Sequence, residues 1–190
     1  MLKKLFINIS LVALTVFALD FTVGKLLRHF YFSELSGPHQ RTTYTMEQTK
    51  ADILIFGSSR ANHHYIPQIF EDSFKLTCYN TGRDANGIFF QEAMLRSVLK
   101  RYTPKIIVLD FSGGFGISND SYDNISSLLP YYDDHPEIRN IVEMKSDFEK
   151  VKLLSEIYPY NSQILTITIG NLELNRKRNE DVKGYVALYN

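Results

Sequence analysis

The chain has 190 residues, with 21 Lys and Arg set against 21 Asp and Glu, and a single cysteine. That length suits one domain with a proper core and hardly two. A formal charge of zero with no strongly basic block argues against a nucleic-acid partner, which would need clustered Lys and Arg, and the lone Cys78 excludes an internal disulfide and reads as a small buried hydrophobe.

The first element is apolar. Lys3 and Lys4 precede a run from Leu5 to Val23, 19 residues with few polar interruptions. As a helix this is roughly 28 Å long, enough to span a bilayer core. No Ala-x-Ala cleavage site follows it, and no cysteine near residue 20 could carry a lipid. Residues 1–29 therefore read as a single-pass transmembrane anchor. The short N-terminal tail would lie in the cytoplasm and the domain outside, with Asp20 near the outer interface, where a charge costs least. The other reading is an amphipathic helix buried against the domain. Residues 30–50 are polar, broken by Ser36-Gly37-Pro38, and read as a stalk.

The domain is expected over residues 51–190. Its first strand is Asp52–Phe56, a short apolar run of the kind buried on both faces of a parallel sheet. A helix over roughly Ala61–Asp72 follows, with Pro67 placed to kink or divide it. Strand two is expected at Lys75–Tyr79, a helix from about Gly87 to Arg101, and strand three at Lys105–Phe111. Alternation of strand and helix implies parallel pairing through right-handed crossovers, hence an α/β layered fold. Beyond it the spacing predicts a helix from Glu137 to about Tyr158, an apolar stretch Gln163–Ile169, and a solvated charged run over 175–181. With no fourth or fifth strand visible, the domain reads as incomplete at its C-terminus.

Strand one runs directly into Gly57-Ser58-Ser59-Arg60. Gly57 permits a sharp turn, and the serines would open a helix at the carboxyl end of the strand, where open α/β sheets bind ligands. Either a nucleophile or a helix N-cap would use serine here. Two further loops, Asn80–Asn86 and Ser112–Gly116, belong to the same sheet edge.

Over residues 50–116 this arrangement resembles the GDSL/SGNH hydrolase superfamily, esterases and acyltransferases on a flavodoxin-like α/β/α sheet. The N-terminal segment is similar to the membrane-anchored bacterial branch. The resemblance implies Ser59 as nucleophile, with Ser58 in place of the family's Asp. It implies an oxyanion N–H from Gly82 of Asn80-Thr81-Gly82, or from Ala85, where many members carry a glycine. Arg60 would contact an anionic or sugar group. The substrate it implies is an acyl ester, possibly of cell-envelope carbohydrate, handled without metal or other cofactor. The family's Gly-x-Asn-Asp after strand three is absent, Asn119 being too distant to align, and so is its C-terminal Asp-x-x-His. His63, four residues after Ser59, is the nearest substitute base; Asp133-Asp134-His135 has the wrong spacing, and His63 with His64 lacks further ligands for zinc. These 190 residues are thus expected to lack the general base and to show little esterase activity. A non-catalytic envelope binding or assembly protein on the same fold is the alternative. A flavin- or nucleotide-binding domain would want a longer glycine-rich loop after strand one.

Overall fold

The computed structural model describes residues 1–111, 122–172 and 181–188. Its centre is β1 (Ile53–Phe56), whose four residues are all buried. β1 pairs in parallel with β2 (Cys78–Asn80) on one side and β3 (Ile106–Leu109) on the other. The order is β2-β1-β3, and Ile53 stands opposite both Cys78 and Ile106. A strand so placed has no solvated face, so it carries the continuous apolar run seen in the sequence rather than an alternating one.

Successive β1 residues feed two cores. Leu54 and Phe56 pack with Tyr79 against Phe90, Met94 and Val98 of α5 (Ile88–Arg101). Ile53 and Ile55 pack with Cys78 and Ala61 on the opposite face, where Tyr65 and Phe70 close over them. The helix expected over 61–72 is divided in two, α3 (Ser59–His64) and α4 (Pro67–Phe74). Tyr65 and Ile66 between them are extended, because the proline ring excludes the helical region for the residue before it. Strand two starts three residues later than expected. Lys75 adopts the left-handed conformation at φ 55° and closes α4 with its N–H on Glu71 O, at 2.9 Å.

The polar stretch read as a stalk instead carries α2 (Pro38–Glu47), whose His39, Thr42, Thr45 and Met46 are buried. Its threonines satisfy their hydroxyls on carbonyls one turn back, as Thr42 does on Pro38 O at 2.8 Å and Thr45 on Arg41 O at 2.9 Å. A face of that kind packs while reading as linker composition. The end of α2 is held by Arg101, which donates to Met46 O at 2.6 Å, Thr49 O at 2.9 Å and Thr45 O at 2.8 Å. The last carbonyls of a helix have no partner within it, and one guanidinium here serves three at once.

α1 (Leu2–Phe32) is long and apolar enough to cross a membrane, and its apolar window has no part buried on the domain. Its C-terminal end is different. Tyr31 is buried, stacked on His39 at 4.5 Å between ring centroids and edge-on to Tyr131 and Tyr160. At Gly24 an added Cβ would stand 2.4 Å from the Glu156 carbonyl carbon, so only glycine permits this approach. Asp20 accepts from Ser155 Oγ at 2.5 Å and from the Glu156 N–H at 2.8 Å.

The rest is built of short pieces rather than one helix over 137–158: 3-10 turns at Asn124–Tyr131 and Pro136–Ile138, then α6 (Arg139–Glu143) and α7 (Glu149–Lys152). After a further 3-10 turn at Tyr158–Gln163, α8 (Ile164–Asn171) packs along α1. The replacement Arg101→Met should lower unfolding stability by about 1.5–3 kcal/mol, since three carbonyls lose a charged donor. Lys150→Met, which removes only a surface pair with Glu143, should change it by less than about 1 kcal/mol. Urea unfolding of both in detergent micelles measures the contrast.

Candidate active site

The turn after β1 is held from two sides. Gly57 takes φ 154°, and a Cβ on it would stand 2.6 Å from Ala61 Cβ and 3.0 Å from Asp110 Cβ. Gln91, buried on α5, donates Nε2–H to Gly57 O at 2.9 Å and accepts the Gly57 N–H at 3.2 Å. The Arg83 N–H also reaches Gly57 O, at 3.2 Å. Ser58 occupies the N-cap of α3 but makes no side-chain cap hydrogen bond, so capping does not account for it. Ser59 is the first residue of α3 and is exposed. Neither hydroxyl has a hydrogen-bond partner among the described residues.

Arg60 is committed elsewhere than to a substrate. Its Nε lies 2.9 Å and 2.8 Å from the two carboxylate oxygens of Asp110, and its Nη2 meets one of them. Asp110 follows β3 directly and its carboxylate is 2% exposed, whereas Arg60 is mostly solvated. The guanidinium holds the Asp110 carboxyl below its ordinary range, against the opposing effect of burial. This pair ties the first turn of α3 to the end of β3. Asp110 was legible only as a charged residue closing a buried strand.

The Asn80-Thr81-Gly82 motif serves as a clamp. The Asn80 amide donates to Ala61 O at 2.7 Å and Tyr65 O at 2.8 Å, the last carbonyls of the α3 region. Its Oδ1 accepts the Gly82 N–H at 2.8 Å. That N–H is thereby spent inside a buried turn. Gly82 is needed for close packing, since a Cβ there would lie 2.5 Å from Asn62 N. Ala85, three residues on, is not tied down in this way. It is exposed, takes the left-handed conformation at φ 57°, and its N–H has no partner among the described residues. A non-glycine residue held there carries strain that its surroundings must offset.

No described histidine is hydrogen-bonded to Ser59. His63 points away, with Nδ1 2.8 Å from Val186 O and Nε2 3.0 Å from an Asp84 carboxylate oxygen. His64 is exposed. His39 is buried against Glu34 at 2.9 Å, and burial lowers its pKa. His135 sits between Glu137 and Glu47. Among the described residues no group of three metal-ligating side chains comes together. The loop Ser112–Gly116 and Asn119 lie outside the described residues.

A polar cleft of about 1340 Å³ opens beside Ala85, between α3, the start of α2, the Asn124–Tyr131 turn and α8. Asn62, His63 and Asp84 form one wall. Asn62 gives an amide hydrogen to Asp84 at 2.9 Å, its Nδ2 also lying 3.4 Å from His63 Nε2, and its Oδ1 is buried with no partner among the described residues. Gln163 gives an amide hydrogen to Ser126 O at 3.3 Å, and its Oε1 is likewise alone. A buried acceptor in that state costs about 1–3 kcal/mol. Arg41 lines the same cleft, half-buried, with no ion pair or side-chain hydrogen bond among the described residues, and burial depresses its pKa. Nothing in the sequence marked this cleft, because its residues come from six separate segments.

Comparison with family models, curated proteins and solved structures found no match.

The Arg60–Asp110 pair has a definite pH signature. A carboxyl whose folded pKa lies below its ordinary 3.8 stabilises the fold above that value and stops doing so as pH falls through the folded pKa. The stability gap between the native chain and Asp110→Asn should therefore narrow between about pH 5 and about pH 3. Thermal unfolding followed by circular dichroism across that range measures it; a gap that stays constant would show that the pair does not form.

Proposed function

We propose that this chain is a membrane-anchored, extracytoplasmic protein of the SGNH type, with Ser59 as the nucleophile of an esterase or O-acyltransferase acting on acyl esters of envelope carbohydrate. The observation that carries this reading is the exposed Ser59, its hydroxyl unengaged, in the first turn of α3 at the carboxyl end of the central strand. The order β2-β1-β3 agrees with the start of a flavodoxin-like sheet. β3 still exposes Ile107 and Leu109, the surface a longer layered sheet would cover.

In this reading Ser59 Oγ bonds to the acyl carbon, the alcohol leaves, and water or a sugar hydroxyl then takes the acyl group from the serine. The Ser59 and Ala85 amides would hold the oxyanion. Gly82 supports the loop that presents Ala85 rather than donating itself. The base that takes the serine proton is not among the described side chains in contact with Ser59. Without it, turnover would fall on the order of 10⁴-fold.

A second reading is favoured by the cleft. His63 is bonded to Asp84 and Val186, while Arg41 lines the cleft with no ion pair or side-chain hydrogen bond among the described residues. A non-catalytic envelope protein on this fold would use that cleft to hold a ligand bearing an anionic group opposite Arg41.

Fluorophosphonate labelling of the full-length protein separates the two. Labelling that is retained in Ser58→Ala and lost in Ser59→Ala is expected if Ser59 is a nucleophile. No labelling of the native chain would remove the catalytic reading and leave the binding one.

A further inference from the structure

α7 and its flanks are inside out for a water-facing surface. Glu149 is 1% exposed, while Phe148, Val151 and Leu154 are 70, 64 and 79% exposed. Spaced by three, these apolar residues lie toward one side of a single helical turn and its exit. The buried carboxylate is a fastener. Tyr158 donates to its Oε1 at 2.5 Å, and its Oε2 receives Ser146 Oγ at 2.7 Å and Lys152 Nζ at 3.2 Å. The segment is thus a platform stapled from behind by polar bonds, with its apolar side chains turned outward. Lys150 and Lys152 flank Val151 in the chain, paired with Glu143 at 3.1 Å and Glu149 at 3.2 Å.

The position of the platform identifies what covers it. Leu154 is followed immediately by Ser155 and Glu156, the residues that donate to Asp20 of α1. Glu156 also faces the bare backbone of Gly24 and pairs with Lys25 at 3.1 Å. Leu154 is therefore within about 4 Å, one residue, of the level at which α1 passes from its apolar run into the domain. The residues of α1 before that level, including Leu14, Val16, Phe17 and Leu19, are exposed and apolar. The exposed apolar residues of α1 thus begin beside the level of the platform's last residue.

We propose that Phe148, Val151 and Leu154 form a second membrane contact, seated in the lipid headgroup and upper acyl region of the bilayer that α1 crosses. The proposal rests on the reading of α1 as a membrane span. An exposed apolar turn interleaved with lysines has the composition of interfacial segments that lie in the plane of the bilayer rather than crossing it. Two attachments, a helix through the bilayer and a platform on it, fix the tilt of the domain as one attachment cannot. They also hold the Ser59 edge of the sheet at a set height above the lipid.

The test uses the full chain in vesicles of phosphatidylcholine and phosphatidylglycerol, with one environment-sensitive fluorophore on Leu14→Cys, Val151→Cys, Leu154→Cys or Ile69→Cys. Native Cys78 is buried and its thiol is pushed up to about 11, so it stays unlabelled. Ile69, exposed on α4, serves as the solvent control. Lipids brominated near the headgroup should quench the labels at 151 and 154 by about half and leave the label at 69 nearly unchanged, while lipids brominated deep in the chain quench that at 14. Quenching at 14 without quenching at 151 and 154 overturns the platform and leaves the span standing. Absence of quenching at all positions overturns the span as well. Shielding of 151 and 154 from aqueous iodide without lipid quenching would show a protein partner on this face, and likewise overturns the proposal.

Discussion

The structure depends on the complete burial of β1. Four apolar residues with no solvated face require a strand on each side and helices on both surfaces. Short parallel strands joined by helices then bring the chain back to the same edge after each one. The Gly57 turn, the Asn80–Asn86 loop and Asp110 meet there because β1 is central. They would not meet if β1 were an edge strand. Ser59 owes its position to this topology rather than to any bond of its own.

What joins those loops is a small set of buried or half-buried polar side chains, each making several hydrogen bonds. Gln91 holds both backbone groups of Gly57; Asn80 holds Ala61, Tyr65 and Gly82; Asp110 holds Arg60; Arg101 holds the end of α2. Each matches the rule that a buried polar group must be bonded. Together they explain why the turn can expose a serine whose hydroxyl supports nothing. Gly57, Ser58 and Ser59 are positioned through the backbone, which leaves the side chains unengaged.

The same residues mark where the sequence was legible and where it was not. β1, α5 and β3 announced themselves by apolar runs or helical spacing, and Pro67 by its effect on Ile66. The bounds of β2 did not, because the left-handed turn at Lys75 depends on closing α4 rather than on any local strand preference. α2 was hidden by its own economy: threonines that bond to their own helix can be buried without looking apolar. Gln91 carried a faint signal, a polar residue on the buried side of α5. The Asn80-x-Gly82 pattern was visible, but its chemistry was not. Only the geometry shows that the asparagine consumes the glycine N–H, and that Ala85, three residues on, has the free one.

An active serine needs placement, an oxyanion donor and a base, and these have different structural origins. Placement comes from the β1–α3 junction, which is rigid because Gly57 and Asp110 fix it. The donor would come from a loop strained at Ala85, whose conformation is maintained by the packing of Gly82 on Asn62. A base must come from side chains that are not already bonded, and His63, the nearest in sequence, has both nitrogens occupied. Freeing it would require Val186 and Asp84 to move together, and Asp84 also holds Asn62 at the cleft wall. The cleft wall and His63 thus share Asp84 as a partner, while Ser59 stands on a separate part of the fold, fixed by Gly57 and Asp110.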